Sequence, residues 1–148
     1  MEIAILALGC FWGPEIKFNK LNGVIKTEVG YCGGNISNAS YEAVCTGKTN
    51  HAEVVKLEFD NLKISYEDIL NYFFEIHDPT TIDRQGPDVG SQYRSEIFYS
   101  NSSQKIIAKN ILKKYNKKFN GKVVTKISEV KNYCKAEEYH QKYLEKKF

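Results

Sequence analysis

Apolar and polar positions alternate along this chain with two distinct periods, and the change from one to the other marks out its elements. Ile3 to Leu8 is a continuous apolar run of the length expected for a buried strand. Gly9 breaks it directly before Cys10-Phe11-Trp12-Gly13-Pro14-Glu15. A helix is expected next: Pro14 suits its first turn, Glu15 complements the positive end of its dipole, and Phe18 and Leu21 continue an apolar face up to the Asn22-Gly23 stop. Val24 to Tyr31 reads as a strand and Gly33 to Ala39 as a loop. From Ala52 to Phe59 the period is two, with Val55, Leu57 and Phe59 on one face and Lys56 and Glu58 on the other with Val54. Counting back along that alternation puts Glu53 on the apolar face.

Ser65 followed by Asp68 resembles a capping box and opens a helix through Ile69, Leu70, Phe73 and Phe74 toward His77, which Asp78-Pro79 ends. A polar, Gly-containing loop runs to Gln92, and Tyr93 to Tyr99 reads as the next strand. Ser102 to Phe119 is the longest helix, with Ile107, Ile111, Leu112 and Tyr115 inward, Lys105, Lys109, Lys113 and Lys117 in one outward row, and Gly121 closing it. Val123 to Val130 is expected as a last strand and Ala136 to Lys147 as a terminal helix. This order predicts a mixed sheet with helices packed on it.

At 148 residues without repeat, linker or low-complexity run, the chain is expected to form one domain over 1–148. Its 42% hydrophobic and 26% charged content excludes disordered, collagenous and membrane classes. The N-terminal apolar run is too short for a signal or a span and has no basic region before it, and four cysteines in such a chain suggest a reducing compartment. A cytoplasmic protein without membrane association is therefore expected. Net charge is +3, but residues 1–100 carry 8 basic and 14 acidic groups (−6), whereas the remainder carries 13 and 4 (+9). A basic module for nucleic acid or an acidic partner is one reading of that asymmetry. The lysines fall at helical spacing on a solvent side and the chain has only two arginines, which favours a solvated face and no nucleic acid. The same lysines suit the steering of an acidic thiol donor.

Cys10 is the first candidate for chemistry. A thiol at a strand-to-helix turn sits where helix N–H groups favour the thiolate, the reactive form; the alternative is a small core hydrophobe. Glu53 is the second: on a buried face, desolvation raises its pKa and keeps a fraction protonated near neutrality, which suits a proton donor. Phe11 and Trp12 are either core residues or the wall of an apolar pocket beside a nucleophile. The loop from Arg84 to Ser95 is too long and polar to be a mere connection, and it contains no phosphate-binding glycine pattern.

Gly9-Cys10-Phe11-Trp12-Gly13-Pro14-Glu15 resembles the signature of the peptide methionine sulfoxide reductase A family. Five further blocks are similar, in order: Gly30 to Gly34, Tyr41 to Gly47, His51 to Val55, His77 to Thr81 with the segment on to Ser95, and Ala136 to Gln141. The resemblance covers nearly the whole chain. It implies an α+β two-layer sandwich with a ferredoxin-like βαββαβ core plus added elements, and thiol-dependent reduction of free and peptide-bound methionine S-sulfoxide for protein repair. It places the nucleophile on Cys10, the acid on Glu53, the hydroxyl donors to the sulfoxide oxygen on Tyr41 and Tyr93, and the loop aspartate on Asp88. Phe11 and Trp12 take the methyl-binding pocket. No metal or bound cofactor is implied; the reductant is an external thiol, thioredoxin or glutaredoxin.

A sulfoxide is a poor electrophile until its oxygen is protonated, so a thiol nucleophile needs a positioned acid. Attack leaves a sulfenic acid on Cys10 that another thiol reverses. Many relatives carry the resolving cysteine in a Gly-rich C-terminal tail, whereas this sequence runs only a few residues past Tyr143-Leu144. Cys134 and Cys32 are the internal candidates, direct reduction by an external thiol is the alternative, and Cys45 is expected to be buried. Pro87 and Asp83 stand where relatives more often have Asn. A zinc site built from the four cysteines lacks any C-x-x-C pair. A Cys-His hydrolase using Cys10 with His51, His77 or His140 is the enzyme alternative.

Overall fold

Two apolar clusters lie on opposite faces of one sheet, which explains why β1 (Glu2–Leu8) is apolar without alternation: Ala4, Leu6 and Leu8 enter one cluster and Ile5 and Ala7 the other. The computed structural model describes residues 1–147. After β1 come α1 (Trp12–Asn19), β2 (Val24–Cys32), α2 (Tyr41–Cys45), β3 (Ala52–Phe59) and α3 (Tyr66–Glu75). A short hairpin of β4 (Arg84–Gln85) and β5 (Asp88–Val89) and a 3-10 turn at Ser91–Tyr93 lead into β6 (Ser95–Tyr99). α4 (Ser102–Lys118), β7 (Lys126–Glu129), β8 (Cys134–Lys135), a 3-10 turn at Glu138–His140 and α5 (Tyr143–Lys147) follow.

The large sheet has the order β7-β6-β1-β3-β2-β8. Its centre, β6-β1-β3-β2, is antiparallel throughout, the strand arrangement of a ferredoxin-like βαββαβ core. β7 adds parallel to β6 across α4, and β8 adds antiparallel to β2. Helices α1, α3 and α4 cover one face, with Phe18, Phe73 and Ile111 packed on Leu6, Leu57 and Ile97. Val130 and Tyr133 cover part of the other face over Cys32, Val54 and Phe98. The α+β two-layer expectation holds.

The local signals at Ser65 and along α4 act as the sequence suggests. Ser65 Oγ accepts from Asp68 N–H at 3.0 Å while the Asp68 carboxylate accepts from Ser65 N–H at 3.2 Å. On α4, Ala108, Ile111 and Tyr115 are buried and Lys109, Lys113 and Lys117 are exposed.

Several elements differ from expectation. Val123 to Thr125 do not extend β7, because Val124 N–H bonds to Pro79 O and the Thr125 hydroxyl to Ser95. β6 begins at Ser95, since Tyr93 belongs to the 3-10 turn. The expected helix from Ala136 to Lys147 is broken. Gln141 spends its carboxamide on Val29, accepting from its N–H and donating to its C=O at 2.9 Å each, and Lys142 turns to φ 50°. These contacts to β2 outweigh the local helical preference. The polar loop contains the β4–β5 hairpin, and Asp83, at φ 47°, takes a left-handed conformation that Asp and Asn both accept. No helix among the described residues is long and apolar enough to cross a membrane.

Candidate active site

The end of β1 delivers Cys10. Gly9 takes φ 98°, and a Cβ there would stand 2.8 Å from Gln85, so the chain turns at a position only glycine fills without strain. The β1–β3 register pairs Leu6 with Val55, and its continuation sets Glu53 opposite the Leu8 end of β1. Glu53 is 1% exposed and its Oε1 accepts the Phe11 N–H at 3.3 Å. The carboxyl therefore reaches the turn that carries Cys10.

Electrostatics around the pair follow burial. Desolvation pushes Glu53 from 4.5 up to about 8, against the lowering effect of the Phe11 N–H, with the Asp88 charge adding to the rise. Cys10 departs from the expectation that a helix N-terminus favours its thiolate. Desolvation outweighs the hydrogen bond from the Trp12 N–H, and the carboxylates of Glu53 and Asp88 push the same way, so its pKa rises to about 11. The resting site therefore holds a neutral thiol beside a largely protonated acid at neutral pH.

Two phenols stand by this pair. Tyr93 is raised to about 12 by desolvation first and then by Glu53, Cys45, Asp88 and Cys10. Tyr41 is raised by desolvation and by its neighbours Cys45, Tyr93 and Glu53. Both hydroxyls stay protonated and able to donate. Tyr41 opens α2, whose cap is Ser40 accepting from Ala43 N–H. The Glu137 carboxylate holds the backbone of Tyr41 in place: one oxygen accepts its N–H at 2.9 Å and the other accepts the Tyr31 hydroxyl at 2.8 Å.

Phe11 is 1% exposed, its ring 5.8 Å from that of Tyr31, so it backs the site from within the core. Trp12 is half-buried and offers the accessible aromatic surface. The structure thus brings Cys10, Glu53, Tyr41, Tyr93, Asp88 and Trp12 together.

The remaining cysteines separate by sheet face. Tyr31 pairs with Glu53 on one side and with Cys134 on the other, so the three form one cross-strand row on the helix-covered face. Two strand spacings separate Glu53 from Cys134, about 10 Å. Cys134 Sγ accepts from the N–H of Ala39 at 3.4 Å. Cys32 points to the opposite face, fully buried, its thiol donating to Lys131 O at 3.4 Å. Cys45, expected to be buried, is exposed at the end of α2, where the helix is too short to cover it. None of the three histidines is hydrogen-bonded to Cys10 among the described residues. His51 bonds to Asn132 O, His77 to Phe73 O and Ser95 Oγ, and His140 to Trp12, so the pair that a Cys-His hydrolase needs is not assembled.

Glu137 and Tyr143, given no role from sequence, and His140, named there only as a hydrolase base, contact Tyr41 or Trp12. Glu137 and His140 lie in the Ala136 to Gln141 block of the resemblance, and no sequence signal singled out Tyr143.

The family described as "Peptide methionine sulfoxide reductase" matches residues 2–148. A relative from Pelagibacter ubique, "Peptide methionine sulfoxide reductase MsrA", is 69% identical over 147 residues, covering 99% of this chain and 100% of its own. The crystal structure of Mxr1 from Saccharomyces cerevisiae in reduced form superposes with a TM-score of 0.93 at 38% identity, covering 98% of this chain and 84% of that one. Mxr1 in complex with Trx2 is similar with a TM-score of 0.69 at 25% identity over 96% of this chain and 84% of that one.

Proposed function

The chain belongs to the peptide methionine sulfoxide reductase family, and on that premise we propose that Cys10 is its nucleophile and Glu53 its proton donor. The activity is MsrA-type reduction of peptide methionine (S)-S-oxide. The observation that carries the residue assignment is the buried Glu53 carboxyl anchored on the N–H of Phe11, the residue next to Cys10.

The sulfoxide enters with its methyl group against Trp12, backed by Phe11, and its oxygen toward the hydroxyls of Tyr41 and Tyr93. Glu53 gives its proton to that oxygen as Cys10 Sγ attacks the sulfur, and the carboxylate so formed takes up the thiol proton. Hydrogen bonds from the two phenols strengthen as the oxygen gains charge. Within this adduct the hydroxyl passes from the substrate sulfur to Cys10 Sγ, the substrate sulfur–oxygen and sulfur–sulfur bonds break as the new sulfur–oxygen bond forms, methionine leaves, and Cys10 is left as a sulfenic acid. Substrate sulfur gains two electrons and Cys10 loses two, and atoms balance without a further reactant. Asp88 adds negative charge that keeps Glu53 protonated.

A thiol must then reduce the sulfenic acid, with release of water. Cys134 is the better internal candidate, because it shares the face of Glu53 whereas Cys32 lies across the sheet. A disulfide needs Cα atoms within about 7 Å, so Cys134 serves only if the two-residue edge strand β8 can bring it that close to Cys10. Thioredoxin or glutaredoxin supplies the final electrons; the complex of Mxr1 with Trx2 supports thioredoxin, and the basic row on α4 suits an acidic donor. Four cysteines present as free thiols suit a reducing compartment such as the cytoplasm; the substrate class includes free as well as peptide-bound methionine S-sulfoxide.

Mass spectrometry after one equivalent of methionine S-sulfoxide without reductant tests the assignment. The expected product is oxidation at Cys10, and full turnover by Cys10→Ser would remove it.

A further inference from the structure

Arg94 follows directly on the 3-10 turn that carries Tyr93, and its guanidinium holds three acceptors at once. Nη1 donates to the carbonyl of Ser91, the first residue of that turn, at 2.8 Å. Nη2 donates to the carbonyl of Asn50, just ahead of β3, at 3.0 Å. Nε donates to Glu96 Oε1 at 2.7 Å, and the other oxygen of Glu96 accepts the Ser128 hydroxyl of β7. One planar group thus ties the Tyr93 turn to the strand of Glu53, and Glu96 fixes that group to the sheet.

The backbone bonds of the turn are local. Tyr93 N–H donates to Gly90 O at 3.0 Å, Arg94 N–H to Ser91 O at 3.3 Å, and Gly90 N–H to Asp83 O at 2.8 Å. These shape the turn and close its loop, but they do not place it relative to Glu53. Arg94 supplies that reference. It is 7% exposed and Glu96 4%, and a buried ion pair adds little net stability over well-packed apolar side chains of similar size. What an apolar pair lacks is directed bonds to carbonyls of two separate segments, which the rigid guanidinium fork provides.

We propose that Arg94 is a positioning residue that sets the place of the Tyr93 hydroxyl at the sulfoxide oxygen by fixing its turn against the entry to β3. This rests on the reading of Tyr93 as a hydrogen-bond donor to that oxygen. Arg94 acts through Tyr93 and not on the substrate. A donor whose bond strengthens as the reaction proceeds is sensitive to placement, and a misplacement of about 1 Å costs up to about 10²-fold.

The test is a double-mutant cycle of Arg94→Lys with Tyr93→Phe, read as the rate of methionine formation in a single turnover without reductant, over a range of methionine S-sulfoxide concentrations. Arg94→Lys keeps a positive charge beside Glu96 and gives up the fork. In the parent it is expected to slow the saturated rate roughly tenfold, with the half-saturating concentration changed by less than about twofold. In the Tyr93→Phe background it is expected to cost less than about a further twofold, because the group it places is gone. Thermal melts accompany each variant. If Arg94→Lys does not melt cooperatively, Arg94→Met with Glu96→Gln, which leaves no buried charge unpaired, takes its place under the same criteria. An equal loss in both backgrounds overturns the inference, because it marks a general loss of structure. So does a parental rate in Arg94→Lys when Tyr93→Phe is slow, which leaves the donor reading standing. A parental rate in Tyr93→Phe overturns the donor reading itself, and the inference with it.

Discussion

The carboxyl of Glu53 and the backbone of Phe11 are joined by a hydrogen bond of 3.3 Å that ties the middle of the sheet to the turn carrying Cys10. An acid is thereby held at a fixed place relative to the thiol by a main-chain donor, which no side-chain motion disturbs. Glu53→Gln keeps the acceptor and removes the proton. Its turnover is expected to fall roughly 10²-fold or more in the chemical step, with substrate affinity little changed. Single-turnover kinetics would check this, and an unchanged rate would place the acid elsewhere.

The pH dependence follows from the same group. Activity that needs the protonated carboxyl is expected to decline as pH rises through about 8. The folded chain holds this proton more tightly than the unfolded chain, so the stability it contributes is complete below about 4.5 and is lost as pH rises through about 8. Glu53→Gln is therefore expected to be more stable than the parent at pH 9 by about 1–3 kcal/mol and nearly equal to it at pH 4. Denaturant melts at the two pH values measure the difference.

Cys10 is expected to be alkylated slowly by iodoacetamide at neutral pH, with the rate rising toward a pKa of about 11, while the exposed Cys45 reacts first. Asp88→Asn removes a charge that raises both Cys10 and Glu53, so the Cys10 profile should shift to lower pH. Site-resolved labelling by mass spectrometry reads it. An unmoved profile would mean that Asp88 does not contribute to the field at the thiol.

The phenols of Tyr41 and Tyr93 supply donors whose work is done at the sulfoxide oxygen. Tyr41→Phe and Tyr93→Phe are each expected to lower kcat/KM by about 10- to 100-fold, and the double variant by more than either. Steady-state kinetics with dithiothreitol separates this from recycling. A double variant with parental kcat/KM would exclude both hydroxyls from the reaction.

Recycling is expected to depend on Cys134. Cys134→Ser should release one equivalent of methionine and then stall with thioredoxin, whereas Cys32→Ser should turn over normally. Continued turnover of Cys134→Ser at the parental rate would favour direct reduction of the Cys10 sulfenic acid by the external thiol.

Much of the scaffold was legible along the chain because its signals are local. Alternation along β3 carries its own phase, which put Glu53 on the buried face before any partner strand was known. Ser65 and Asp68 cap α3 through bonds to each other three residues apart. The C-terminal segment was not legible in this way, because the bonds that break its helix run from Gln141 to Val29, 112 positions away. The exposure of Cys45 was hidden too, since it depends on what packs over the end of α2.

The amino-acid sequence by itself determined the order of the elements, the faces of the strands and the residue types brought to the site, because side-chain periodicity is a property of neighbours. Tertiary structure decided which of those residues meet and in what charge state. Cys10 illustrates the difference. Its place at a helix N-terminus argues for a thiolate, yet desolvation by the packed chain and the carboxylates of Glu53 and Asp88 hold it as a thiol. The dielectric and the field at an atom are sums over residues distant in sequence, and they exist only once the chain has closed around it.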